Sequence, residues 1–240
     1  MIVKQSIGNN IVRENKKFNK KSDKIIILDL DETLVHINNT NKEGLSKLEI
    51  FKNSKHYDLR QRIVRIISYD ILDKNNQGKG EKEILWGVIR PYLYDFLEYI
   101  FNNFCMVIVW SAGVKKYVDE IVRFIFRDFR MPDIVMCRDD CVGKISSYEK
   151  PITFISEKFP EFKGIITLEN TLIIDDRKEN FKSNPNNGIL IPVYNPDTNI
   201  EDLSSVKDDN LKKLIDWFES KEFKKSKDVR RLDKNIIFNK

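Results

Sequence analysis

The residues of this chain best suited to chemistry are Asp29 and Asp31, which follow the apolar run Ile25-Ile26-Ile27-Leu28. A continuous, β-branched run of this kind reads as a strand buried on both faces. Carboxylates at i and i+2 just past its end can be aimed into one small volume at the C-terminal edge of a sheet. Open α/β folds bind their ligands at that edge. Two negative charges held close repel unless a cation or a catalytic role compensates them. One carboxylate as nucleophile, the second as proton donor and a Mg²⁺ to hold a phosphate would account for the pair. Taken alone, Asp-x-Asp also fits a solvated strand end, so the surrounding chain has to decide.

A second apolar run, Ile173-Ile174, also ends in paired carboxylates, Asp175-Asp176, followed by Arg177. Two such strand ends in one chain arise by chance much less often than one. Together they would bring four carboxylates to one sheet edge, a hard-oxygen environment suited to Mg²⁺. Trp110-Ser111-Ala112-Gly113 places a hydroxyl and a flexible backbone before a helical pattern. A helix N-terminus there favours phosphate, although a plain helix cap explains this segment equally well by itself. Lys150, in Tyr148-Glu149-Lys150-Pro151, would offset the acidic charge and hold both nucleophile and phosphate.

The elements that must position these groups alternate. Strand candidates at 25–30, 105–110, 171–174 and 189–193 are separated by helical patterns at 91–102 and 114–128. The first helix opens after Arg90-Pro91, a fitting start. A third helical stripe is carried by Leu211, Leu214, Ile215 and Phe218. Alternation of this kind predicts a parallel sheet covered by helices on both faces. Residues 38–85 interrupt it with a strand candidate at 63–67 and a turn through Asn75-Asn76-Gln77-Gly78-Lys79-Gly80, read as a small β-rich insertion of two or three strands. So short and polar an insertion leaves the adjoining site open to part of a large molecule.

The 240 residues suit one α/β domain with insertions, or at most two small domains. A net charge of +5, from 42 basic against 37 acidic residues, permits an anionic partner without demanding nucleic acid. Three irregularly spaced cysteines give neither a disulfide framework nor a zinc signature, which fits a reducing intracellular compartment, nucleus or cytoplasm. Cys105 is expected in a buried strand, and Cys137 and Cys141 as packing residues. No apolar run approaches the ~20 residues of a membrane span. Residues 1–23, with the basic cluster Lys16-Lys17-Phe18-Asn19-Lys20-Lys21, read as a polar tail, and 233–240 as a second tail after a domain at 24–232. Nothing marks an oligomer, so a monomer is the default.

In their order along the chain, these segments resemble the haloacid dehalogenase superfamily. Asp29-Leu30-Asp31-Glu32-Thr33-Leu34-Val35-His36 is similar, more narrowly, to the FCP/SCP phosphatases that act on the RNA polymerase II C-terminal domain. The similarity continues through Arg90-Pro91, Trp110 to Gly113, Arg138 to Cys141, Tyr148 to Lys150, Ile174 to Arg177 and Asp228-Val229-Arg230. The resemblance implies a Rossmannoid α/β fold, a central parallel sheet flanked by helices, with a small β-rich insertion. It implies Asp29 as the nucleophile of an aspartyl-phosphate and Asp31 as the acid and base. Thr33, Ser111, Ala112 and Lys150 would bind phosphate. Asp29, Asp31 through its carbonyl, Asp175 and Asp176 would surround Mg²⁺. Arg90, Val114, Tyr117 and Arg138 would meet substrate. The function implied is a Mg²⁺-dependent phosphoserine/phosphothreonine protein phosphatase, with the polymerase tail among its candidate substrates. No membrane or direct nucleic-acid partner is expected. A phosphatase of nucleic-acid ends or small molecules and a non-catalytic phosphoprotein-binding module are the alternatives.

Overall fold

The computed structural model describes residues 22–38, 57–71, 78–144, 147–196 and 207–239. Strand β1 (Ile25–Leu28) has every side chain fully buried, as its unbroken apolar run requires. After β2 (Val35–Asn38) come the short helix α1 (Tyr57–Arg62), β3 (Ile63–Tyr69), β4 (Lys82–Ile89), α2 (Leu93–Asn103), β5 (Met106–Trp110) and α3 (Lys115–Phe126). Then follow β6 (Ile134–Met136), α4 (Ile152–Lys158), β7 (Thr171–Asp175), β8 (Gly188–Leu190), α5 (Asn210–Phe218) and α6 (Lys221–Lys225).

A five-stranded sheet has the order β6-β5-β1-β7-β8, and each pairing within it is parallel. Strand β1 is central, with Ile25 opposite Met106 on one side and Thr171 on the other. Ile26, Leu28, Val107, Val109, Leu172 and Ile174 join the cluster packed by α2, α3 and α5. Ile25, Ile27, Met106, Ile108, Trp110 and Ile173 join a second cluster, which includes Ile152 and Ile155 of α4. Each buried Ile or Leu contributes roughly 1.5–3 kcal/mol, so the centre of the sheet is strongly fixed. The fold is haloacid dehalogenase-like: parallel strands feed helices on both faces, and their C-terminal ends share one edge.

The insertion forms an antiparallel sheet of order β2-β4-β3. It reaches beyond the expected 38–85, because Val35 already pairs with Ile89. Val64, Ile66, Leu85 and Ile89 pack into the larger core cluster, which binds this sheet to the body of the domain. Gly87 permits the close approach of β2, since a Cβ there would lie 2.0 Å from the His36 carbonyl oxygen.

Several expectations shift. Helix α2 begins at Leu93, after Tyr92 at φ 63, because Arg90 is held by the 2.9 Å bond from its N–H to the Leu34 carbonyl and Pro91 lies in the turn. Strand β6 escaped notice because it is only three residues long. The last expected strand stops at Leu190, and the chain continues irregularly through Val193. Cys105 lies just before β5 and is half-buried. Of the expected N-terminal tail only residues 22 and 23 fall among those described, and Asn75, Asn76 and Gln77 also lie outside them. The segment after 232 is held to the body: Ile237 is buried and Lys234 Nζ donates to the Val229 carbonyl at 2.7 Å. Among the described residues no helix is long and apolar enough to cross a membrane.

Candidate active site

The order β5-β1-β7 places three strand ends side by side, and each delivers a polar group to the same edge. Asp29 follows β1, Ser111 follows β5, and Asp175 and Asp176 close β7. The ladder extends past β1, with Asp29 N–H donating to the Ile174 carbonyl at 3.0 Å. The chain then folds back on itself: Leu34 and Val35 N–H both bond the Leu30 carbonyl, and Glu32 takes the left-handed φ of 58. This tight loop points Asp31 into the same cleft as Asp29.

Lys150 lies beneath the cleft and is fully buried. Its ammonium donates to Asp29 Oδ1 and to Asp175 Oδ2, each at 2.6 Å. Burial lowers a lysine pKa, but the charges of Asp175 and Asp29 more than offset that here and hold Lys150 protonated. Asp175 also accepts from Arg177 N–H and, at both oxygens, from Asn180 Nδ2, all at 2.9 Å. Its acceptor capacity is therefore taken, and it serves to orient Lys150.

Asp29 is pushed well above the usual carboxylate range, chiefly by burial, with Lys150 pulling the other way and Asp175 adding repulsion. Asp31 is pushed up from 3.8 to about 6, again chiefly by burial, although a hydrogen bond from the Tyr117 hydroxyl favours its ionised form. Asp176 is raised by burial and by the charge of Asp175. Burial and mutual repulsion thus disfavour the ionised form of all three neighbouring acids, and a cation beside them would restore it. Ligand oxygens of Asp29, Asp175 and Asp176 lie within 4.8 Å of one another. An all-oxygen donor set of clustered carboxylates fits a hard divalent cation such as Mg²⁺. With Asp175 saturated, Asp29 and Asp176 are the side chains left to hold it.

The cleft above has a volume of about 440 Å³ and is open to solvent. Ser111, Ala112, Gly113, Val114, Tyr117 and Arg138 form one wall; Asp176, Arg177 and Asn180 form the other. Ser111 Oγ accepts the Gly113 N–H at 3.0 Å. Arg138 clamps the same loop, donating its N–H to the Gly113 carbonyl and its Nε to the Ala112 carbonyl, each at 2.9 Å.

Two expected roles change. Arg90 is fully buried and away from the cleft lining. Its guanidinium is spent on Asp208 and on the Thr33 and Pro192 carbonyls, so it cannot also meet substrate. Thr33 is fully buried as well, and its hydroxyl is committed to Asp176: it accepts from the Asp176 N–H at 3.2 Å and donates to Asp176 Oδ1 at 3.3 Å. It orients that carboxylate and does not reach phosphate. Sequence reasoning missed Asn180, Glu32 and Asp208. Asn180 follows the second carboxylate pair within a polar run, and that was its only signal. Glu32 pairs with His36 Nδ1 at 2.8 Å, an i, i+4 spacing that gives no sign of the tight loop between them. Asp208 had no local signal at all.

The family model described as NLI interacting factor-like phosphatase matches residues 24–230. The human ubiquitin-like domain-containing CTD phosphatase 1 is 25% identical over 183 residues, covering 69% of this chain and 54% of the relative. The chain therefore spans about half the length of that relative. The putative CTD phosphatase-like protein 355R of Invertebrate iridescent virus 3 is 27% identical over 190 residues, 73% of this chain and 86% of the viral protein. A solved structure of Fcp1, described as an essential RNA polymerase II CTD phosphatase, superimposes with a TM-score of 0.55 at 20% identity, over 84% of this chain and 50% of that one. The structural likeness speaks for the fold, whereas the family model takes in both acidic strand ends and Lys150. This chain belongs to the NLI interacting factor-like phosphatase family.

Proposed function

We propose that this protein is a Mg²⁺-dependent phosphoserine/phosphothreonine protein phosphatase that works through an aspartyl-phosphate on Asp29. The observation that carries this reading is the state of Asp29. One oxygen is held by buried Lys150, the side chain lines the cleft, and Asp31 stands two residues on with a pKa near 6.

Asp29 attacks phosphorus and an Asp29–phosphoryl bond forms as the bond to the serine or threonine oxygen breaks. Asp31 gives its proton to that leaving oxygen. It then takes a proton from water, which attacks the same phosphorus, releasing inorganic phosphate and regenerating Asp29. A pKa near the working pH suits a group that must act in both directions. Ser111 and the backbone at Ala112 receive the phosphoryl oxygens, and Lys150 holds Asp29 in line and offsets its charge. Asp29 and Asp176, with the Asp31 carbonyl, would hold a Mg²⁺, which would supply charge neutralisation for the phosphoryl group. Dividing the transfer into two covalent steps lowers each barrier.

The open cleft admits an extended segment of a larger protein, with Val114, Tyr117 and Arg138 at its wall to meet residues beside the phosphate. The relatives' names make the phosphorylated RNA polymerase II tail the first substrate to try. The test is hydrolysis of phosphoserine peptides against phosphorylated oligonucleotides and sugar phosphates with Mg²⁺, together with acid-quench trapping of a hydroxylamine-labile phosphoenzyme. Peptide turnover and a trapped species absent from Asp29→Asn are expected. Preference for oligonucleotides would replace the substrate class, and no turnover of any phosphate ester would turn the site into a binding module.

A further inference from the structure

Arg90 directly follows β4, where the insertion sheet returns to the body, and its guanidinium joins segments distant in sequence. Nη1 donates to the Thr33 carbonyl at 3.0 Å and Nη2 to the Pro192 carbonyl at 2.7 Å. Nε and Nη2 grip Asp208 Oδ1 and Oδ2 at 2.9 and 2.8 Å, a two-pronged pair of the strong, directional kind. The Tyr194 ring centroid lies 5.4 Å from the guanidinium carbon and covers one face of it. Asp208 in turn accepts the Asn210 N–H at 3.2 Å, at the first residue of α5.

Thr33 connects this buried cation to the chemistry. Its carbonyl is fixed by Arg90, and its hydroxyl is bonded to both the N–H and the carboxylate of Asp176. The neighbouring Glu32 carbonyl is fixed by the Tyr194 N–H at 2.7 Å, from the segment that also supplies Pro192. Two carbonyls of the loop carrying Asp31 are therefore tied down, that of Thr33 by Arg90, whose anion is Asp208, and that of Glu32 by Tyr194, whose ring covers the same guanidinium.

We infer that Asp208 is a positioning residue: through Arg90 and Thr33 it sets the placement of Asp176 and of the Asp31 loop, and so the affinity of the acidic cluster for a divalent cation and the rate of turnover. Asp208 touches neither substrate nor cation. The inference rests on the phosphatase reading for its kinetic half alone. Removing one prong of the pair loosens the guanidinium, and with it the only side chain bonded to the Thr33 carbonyl among the described residues.

The test compares wild type with Asp208→Asn, which keeps one acceptor and the size of the side chain, and with Arg90→Lys, which keeps the charge but cannot span the separate acceptors. Leu214→Ala, a cavity in the same helix α5 away from the bracket, is the control for plain loss of stability. Mg²⁺ affinity is read by calorimetry on protein shown to be folded, and turnover with an aryl phosphate, which needs no peptide contact. Asp208→Asn and Arg90→Lys should bind Mg²⁺ about 10-fold or more weakly and lose a similar factor in kcat, with KM for the aryl phosphate little changed. Leu214→Ala should melt earlier and keep both values. Wild-type Mg²⁺ affinity in Asp208→Asn, or equal losses in Leu214→Ala, would overturn the inference. A wild type that binds Mg²⁺ yet hydrolyses nothing would end the phosphatase reading and leave the bracket judged on affinity. A wild type that binds no Mg²⁺ would overturn both.

Discussion

Asp31→Asn should have opposite effects on function and on stability. The Asp31 carboxyl titrates near 6 in the folded chain, against an ordinary value of 3.8, because burial disfavours its charged form. An acid whose folded pKa is raised stabilises the fold only while protonated. That contribution is complete below about pH 4 and is lost as pH rises through about 6. At about 1.4 kcal/mol per pH unit, the gap is worth up to about 3 kcal/mol at pH 7. Asparagine carries no such charge and still offers a carbonyl to the Tyr117 hydroxyl. In Mg²⁺-free buffer, urea unfolding from pH 4 to pH 7.5 should therefore show the two proteins diverging, with the variant more stable at the upper end. Added Mg²⁺ should narrow the difference by compensating the charge. Turnover should meanwhile fall by about 10²–10⁴-fold, the usual share of a positioned acid and base. A stability difference that stays flat over this range, or a variant less stable at pH 7, would refute the burial argument. Retained turnover would refute the role.

Other expectations follow from the same contacts. Lys150→Met leaves Asp29 and Asp175 buried together without their cation and should cost about 3–5 kcal/mol in urea unfolding, less at low pH, where Asp29 is protonated. Mg²⁺ should raise the melting temperature of the wild type, and calorimetric scans of Asp176→Asn should show most of that rise gone. Tyr117→Phe removes a hydrogen bond that favours ionised Asp31, so the pH–rate limb assigned to Asp31 should move to higher pH. Gly87→Ala would force a Cβ against the His36 carbonyl and should destabilise the domain by about 1–3 kcal/mol, as read by urea unfolding.

The sequence was most legible where local pattern and burial coincide. Ile25 to Leu28 read as a buried strand and the repeated apolar run before Asp175 as a second; the structure makes them parallel neighbours and so brings the two acidic pairs together. Helices α2, α3 and α5 were legible for the same reason, each presenting one apolar stripe. What escaped was decided by contacts distant in sequence. Arg90 stands in a motif beside catalytic segments and reads naturally as a cleft residue, yet its partners are Asp208, 118 positions away, and Pro192, 102 away. Thr33 has the composition of a phosphate ligand, but a bond across 143 positions claims its hydroxyl. Strand β6 fell below the length at which periodicity carries information.

The four acids at the sheet edge differ less in type than in how fully their oxygens are already engaged, and under the function proposed above this sorts their roles. Asp175 accepts from Lys150, Arg177 and Asn180 and has no capacity left, so it fixes the lysine. Asp29 has one oxygen bonded to Lys150 and lines the cleft, the condition of a nucleophile that is held yet able to attack. Asp176 is oriented at one oxygen by Thr33, as suits a ligand that must keep its direction before a cation arrives. Asp31 is held by a neutral hydroxyl that leaves its pKa near 6, as suits a group that must give up and recover a proton. A cluster built only to bind a cation would need no such gradation among its carboxylates. One that must also attack phosphorus and move a proton does, because a fully saturated acid can do neither.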